Sequence, residues 1–132
     1  MTGLVPPKAR LGRALEAVRA ARFLFDGGFF ADSVNRSHLA MELGALAVLA
    51  TKGLTSKSHT GVQSLFYDHI AKPGLFPMEL AQALAAALRD RLLTDYEQPA
   101  AEISRARAEK HLANAETFLA AVEAFLNSPA AP

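Results

Sequence analysis

The sequence predicts an all-α fold, and three features of it carry that expectation. Half of the residues are apolar, with alanine and leucine dominant and β-branched residues sparse, a composition that favours helix over strand. Apolar residues recur three and four apart in five segments, and glycine and proline fall between those segments. No stretch alternates apolar and polar residues as a half-buried strand would. With 132 residues the chain reads as one helical domain, residues 1–132, with residues 1–7 and 128–132 as flexible ends.

Taken in order, Met1 to Pro7 is a short lead whose Pro6-Pro7 suits the start of a helix. The first helix is expected from Lys8 to Asp26, with Leu11, Leu15, Val18, Arg22 and Phe25 on one face and Gly27-Gly28 as its stop. A second helix runs from Ala31 or Asp32 to Lys52 and is apolar around most of its circumference, so it is expected at the centre of the fold. His38 falls on its stripe Val34, His38, Met41, Ala45, Val48, either as a core residue or as a ligand. The third helix is read over Lys57 to Ala71, capped by Ser56 or Ser58, with Val62, Leu65, Phe66, His69 and Ile70 facing inward. Lys72-Pro73-Gly74 breaks the chain, and a fourth helix follows from Pro77 to Thr94. Pro99 opens the last helix, expected to reach Asn127 on the outside of the fold with a stripe of Ile103, Leu112, Ala115, Leu119, Val122 and Leu126. Phe118 and Phe125 lie beside that stripe, where they either widen it or mark a surface for a second subunit.

Composition narrows the function classes. Cysteine is absent, so disulfide frameworks, thiolate catalysis and cysteine metal sites are excluded, and a reducing cytoplasm fits. No segment approaches eighteen uninterrupted apolar residues, so a soluble protein without membrane association is expected. A net charge of +1 argues against a strongly basic nucleic-acid binder, although the first half of the chain is basic and Arg19 and Arg22 stand one turn apart on the first helix. The histidines His38, His59, His69 and His111 are far apart in sequence, and His59 and His69 are separated by roughly 15 Å of helical rise, so no dedicated metal site and no cofactor are expected. There is no G-x-S-x-G motif to support a serine nucleophile.

The stretch that carries chemistry is Leu88 to Glu97, L-R-D-R-L-L-T-D-Y-E. Leu80, Leu84 and Leu88 form one helical face, and continuing it reaches Arg91 and then Asp95. Charge on an inward face needs a partner, a wet cleft or a ligand. The pair either closes the helix end or lines a site. Asn35, Arg36, His38 and Glu42 on the second helix, His59 on the third, and Arg91, Asp95 and Tyr96 on the fourth can converge if those helices are neighbours. There an arginine can hold phosphate by its fork, while a histidine or tyrosine moves a proton near a ribose hydroxyl. The bland alternative is a buried ionic network that sets helix register.

The order of S-V-N-R-S-H-L-A-M-E, K-G-L-T-S-K-S-H-T-G-V-Q-S-L-F and L-R-D-R-L-L-T-D-Y resembles the HEPN domain family, in its branch of small stand-alone bacterial and archaeal members, from Arg10 to Phe125. The matching positions are Arg36, His59 and Arg91 with Asp95-Tyr96. The resemblance implies an up-and-down four-helix bundle with an additional short helical element, commonly a homodimer. It also implies a part in a toxin-antitoxin or defence pair as a metal-independent endoribonuclease, often alongside a minimal nucleotidyltransferase partner that modifies a tyrosine near the motif. From the polar set and that resemblance together, Arg91, Asp95, Tyr96 and His59 are the catalytic candidates, and Arg36, Asn35 and His38 the candidates for binding RNA or a nucleotide. Two positions depart from the family pattern. Its nuclease motif has a histidine separated from the arginine by four to six residues, where this chain has Tyr96, Glu97 and Gln98, and its paired aromatic in the second helix is Ser37-His38 here. A phenol, with a reference pKa near ~10, is a poor base at neutral pH. The competing reading is a non-catalytic helical module that binds a nucleotidyltransferase or another protein.

Overall fold

The computed structural model describes residues 5–96 and 102–128. They form helices α1 (Pro7–Asp26), α2 (Phe30–Ala50), α3 (His59–Phe66), α4 (Met78–Tyr96) and α5 (Arg105–Asn127), with a π-helical turn over Tyr67–Ala71 after α3 and no strand among the described residues. Helix α2 is the hub. It packs against α1, α3, α4 and α5, and thirteen of its residues between Ser33 and Leu49 are buried. This is the placement expected of a helix apolar around most of its surface.

Helix α1 starts one residue earlier than its periodicity suggested, with Pro7 already inside it and Pro6 as its cap. Its most buried positions are Ala14, Ala17, Ala21 and Phe25, whereas Leu11, Leu15 and Val18 flank the core partly buried. The expected leucine face is therefore displaced by an alanine seam, because small side chains let α1 lie close along α2. Arg22 lies over the Phe25 ring, its guanidinium carbon 5.9 Å from the centroid, and its head reaches across to Glu116 at 3.2 Å as an exposed pair of small energetic weight. At the end of α1, Gly28 takes φ +84°, Gly28 N–H donates to Phe25 O and Phe29 N–H to Leu24 O. That is a Schellman close, and it requires the left-handed backbone that glycine adopts freely.

A second glycine serves close approach. A Cβ on Gly44 would lie 2.8 Å from Leu119 Cδ2 and 3.2 Å from Val122 Cγ2, so α5 packs directly onto the α2 backbone there. Gly44→Ala is expected to destabilise the fold by about 1–2 kcal/mol, overpacking outweighing the gain in helix propensity of about 1 kcal/mol. Urea unfolding with an unchanged m-value and a lowered midpoint would show it.

The third helical segment differs from its expectation in its second half. Ser58 caps it, accepting from Gly61 N–H at 2.9 Å, but after Phe66 the chain widens into the π turn. The wider turn leaves Ile70 buried and turns His69 outward, contrary to the inward placement expected from a regular helix. Phe66, Phe76 and Phe118 then stack with ring centroids 5.0–5.5 Å apart, tying α3, the following loop and α5 together. Phe118 is thus a core residue, and Phe125, partly buried, packs against the core, so the two widen the α5 stripe.

The last helix begins later than expected. Pro99 lies outside the described residues, residues 102–104 are not helical, and Ser104 caps α5 by accepting from Arg107 N–H at 3.1 Å. A capping hydroxyl outweighed the proline signal. No helix among the described residues is long and apolar enough to cross a membrane.

Candidate functional site

Three elements meet where the fourth helix becomes polar. Leu80, Leu84 and Leu88 are buried as their spacing required, and the same face of α4 continues into Arg91 and Asp95 at the rim. Facing them, α2 presents Asn35, His38 and Glu42, spaced i, i+3 and i+7 and therefore on one side of the helix. The cap at Ser58 delivers His59, the first residue of α3, to the same place.

The polar contacts run in two directions from Arg91. Toward the α4 terminus, its Nε lies 3.7 Å from Asp95 Oδ2, Asn35 Nδ2 donates to Asp95 Oδ1 at 3.4 Å, and Thr94 Oγ1 donates to Asn35 Oδ1 at 3.0 Å. Toward α3, Arg91 Nη1 donates to His38 Nδ1 at 3.1 Å, His38 Nε2 lies 3.8 Å from Glu42 Oε2, and His59 Nδ1 donates to the same Glu42 oxygen at 2.6 Å. The two imidazoles meet edge to face, centroids 5.4 Å apart. Arg91 is 23 % exposed, and its buried Nε has no hydrogen-bond partner among the described residues. Glu42 does not seal it; its hydrogen bond goes to His59.

His38 is 1 % exposed, and its pKa is lowered to about 3, first by burial and then by the Arg91 charge, with smaller effects of His59 and His111. It is therefore a neutral acceptor beside the guanidinium. The sign of the linked stability follows. Unfolded, the ring takes up a proton below its reference value near ~6.5, whereas folded it does so only near about 3, so stability present above ~6.5 is lost as pH falls toward 3. At about pH 5 the loss from this ring is about 2 kcal/mol. His38→Asn keeps an acceptor near the Nδ1 position and cannot titrate, so its unfolding free energy is expected to fall correspondingly less between pH 7.5 and 5, measured by urea titration at both values.

One ligand nitrogen of each histidine and a Glu42 oxygen lie within 4.8 Å of one another, a spacing that a divalent metal could bridge. Distance along the sequence therefore does not keep these histidines apart. The hydrogen bond from Arg91 opposes metal binding. A ligating histidine normally offers its second N–H to an acceptor, and here that second nitrogen faces a donor.

Not every expected residue is at the site. Arg36 lies on the opposite side of α2 from His38 and lines a separate cavity with Arg13, Glu16 and Leu39. Tyr96 ends α4, and its side chain lies outside the described residues. Glu42, one of the polar residues of α2, stands within 4 Å of both His38 and His59. Asp90 lies off the leucine stripe; 3 % exposed, it accepts from Arg107 Nε at 2.8 Å, Arg107 Nη2 at 2.9 Å and His111 Nε2 at 2.7 Å. Its signal was available, since Ala83, Ala87 and Asp90 form a second buried stripe and Arg107 and His111 stand one turn apart on α5.

Comparison with known proteins places this geometry in context. A UPF0332 protein of Gloeobacter violaceus is 40% identical over 99 residues, 75% of this chain and 79% of that protein. Two proteins of Methanocaldococcus jannaschii, each named "Putative toxin", are 30% identical over 91 residues (67% of this chain, 68% of that protein) and 28% identical over 97 residues (74% and 65%). The model of the HEPN domain matches residues 8–125. That span takes in all of the helical structure except the first residue of α1 and the last two of α5, and the chain belongs to the HEPN domain family.

Proposed function

We propose that this chain is the RNA-directed, toxin-like member of a two-protein pair, and that it cleaves RNA without a metal at the cleft holding Arg91. The observation that carries the reading is the state of Arg91. Its guanidinium stands at the rim, 23 % exposed, held by a neutral histidine and 3.7 Å from a single partly exposed carboxylate, so the outer part of the fork and its charge are open to a phosphate although its Nε is buried. Asp95 and Asn35 orient the fork, and His59 and Tyr96 are the groups nearby in sequence order or space that can exchange a proton. The relatives whose names carry the word toxin favour the same role. In this reading the helices form an up-and-down four-helix bundle with α3 as the additional element, the protein acts as a homodimer in the cytoplasm, and a nucleotidyltransferase is its natural counterpart.

The test is cleavage of labelled cellular RNA by purified protein in EDTA, wild type beside Arg91→Ala. Cleavage by the wild type and its loss in the variant are expected. No cleavage by folded wild type at high concentration across several RNAs would instead assign the polar network to helix register and the chain to non-catalytic binding of a nucleotidyltransferase or another protein.

A further inference from the structure

We infer that His59 is the proton-transferring group of this site and that Glu42 is the positioning residue that holds its ring with the proton on Nδ1 and Nε2 bare. The inference rests on the nuclease reading above for its chemistry, but its geometry stands separately. A guanidinium donates and cannot accept, so the hydrogen bond from Arg91 leaves His38 Nδ1 bare and, in a neutral ring, puts the proton on Nε2. That nitrogen lies 3.8 Å from Glu42 Oε2, beyond hydrogen-bond range, and has no hydrogen-bond partner among the described residues. Glu42, 13 % exposed, therefore spends its hydrogen-bonding capacity on His59, at 2.6 Å. A carboxylate only accepts, so His59 Nδ1 is the donor.

The result is a base oriented by a carboxylate, the arrangement by which one group fixes the tautomer of another. His59 is 43 % exposed while its anchoring carboxylate is nearly buried, so the ring is open to a substrate from outside. Arg91 and His59 both contact His38, which places a phosphate ligand and a base on either side of one buried imidazole. Glu42 also lines a cavity of about 300 Å³, whose other polar walls are Arg10, Ser56, Lys57 and Ser58. Arg10 and Lys57 give it the positive charge that suits the next phosphate of an RNA strand.

His59 Nε2 takes the proton of a ribose 2′-hydroxyl, the 2′ oxygen attacks the adjacent phosphorus held by Arg91, and the bond from phosphorus to the 5′ oxygen breaks. The 5′ oxygen takes a proton from water, the imidazolium returns its proton to solvent, and the products are a 2′,3′-cyclic phosphate and a 5′-hydroxyl. This assigns to a histidine from α3 the work for which the positions Tyr96, Glu97 and Gln98 after Arg91 hold no histidine.

The experiment has two arms on the full chain. Long-range ¹H–¹⁵N spectra of the histidine rings at about pH 8.5, with His59→Asn for assignment, are expected to show His59 as the Nδ1–H tautomer in the wild type. They should show a return toward Nε2–H in Glu42→Ala and partial retention in Glu42→Gln, which keeps an acceptor. In the second arm, single-turnover RNA cleavage should fall by about 10²- to 10⁴-fold in His59→Asn and at least about tenfold in Glu42→Ala, with little change in KM. Unchanged cleavage in His59→Asn, or a His59 tautomer indifferent to Glu42→Ala, would overturn the assignment. So would tight Zn²⁺ binding that shifts both His38 and His59, because the cluster would then be a metal centre. If the wild type shows the expected tautomer yet cleaves nothing, the nuclease reading fails and takes the proton-transfer role with it, while the Glu42–His59 geometry is retained.

Discussion

Arg91→Ala is expected to lower RNA cleavage by about 10³-fold and to leave the helices folded. An arginine that meets charge developing on a transferring phosphoryl group contributes on the order of 10³- to 10⁵-fold, and a single donor to an oxyanion about 10²- to 10³-fold. The lower end applies here because Arg91 is partly exposed and Asp95 shares it. The cost to the fold is smaller. Truncation leaves His38 Nδ1 without its donor, worth about 1 kcal/mol, and at the same time removes a half-buried cation, so the melting temperature should move by only a few degrees. Arg91→Lys separates charge from fork: a point charge on a flexible stem retains phosphate attraction but loses two-point contact, and its rate should fall between the other two. Tyr96→Phe completes the set. If His59 moves the proton, the phenol is dispensable and cleavage persists; loss of cleavage in Tyr96→Phe would transfer that role to the tyrosine.

Asp90→Ala is expected to have the opposite profile, destabilising the fold by about 3 kcal/mol without a direct effect on chemistry. Asp90 ties α4 to α5 through three hydrogen bonds, two to Arg107 and one to His111. Arg107 is 55 % exposed and can turn to water when its partner is lost, so its share is small. His111 cannot. It is 5 % exposed, its Nδ1 already lacks a partner among the described residues, and losing Asp90 would leave both ring nitrogens buried and unpaired. A fall in melting temperature of about 10 °C follows for a chain of this size, and calorimetry would measure it. Asp90→Asn should recover part of the loss, since an amide oxygen still accepts from one neighbour.

The two predictions separate residues that adjoin in sequence and differ in purpose. On α4, Asp90 and Arg91 are one residue apart and therefore about 100° apart around the helix. Asp90 faces α5 within the core, and Arg91 faces α2 at the rim. A sequence reading that follows one stripe, Leu80, Leu84, Leu88, Arg91, Asp95, finds the second of these and passes over the first. The stripe of Ala83 and Ala87 that leads to Asp90 is quieter, because alanine marks a close helix contact and a solvent face equally well.

Local chemistry was enough for much of the fold. Helical periodicity, the glycine stop after Asp26 and the near-continuous apolar surface of α2 determined five helical segments and a central second helix, because each depends only on residues within a turn or two of one another. The same locality made Arg91 and Asp95 legible as charge continuing an apolar face. What the sequence could not decide is where helices touch. Glu42 gathers His38 from its own helix and His59 from the next, Arg36 is carried away to the α1 side, and the π turn sends His69 to the surface. Those outcomes depend on how far each helix is rotated and slid against its neighbours. The alanine seam of α1 and the missing side chain of Gly44 set that docking through steric fit between surfaces distant in the chain, and no pattern within a single helix encodes it.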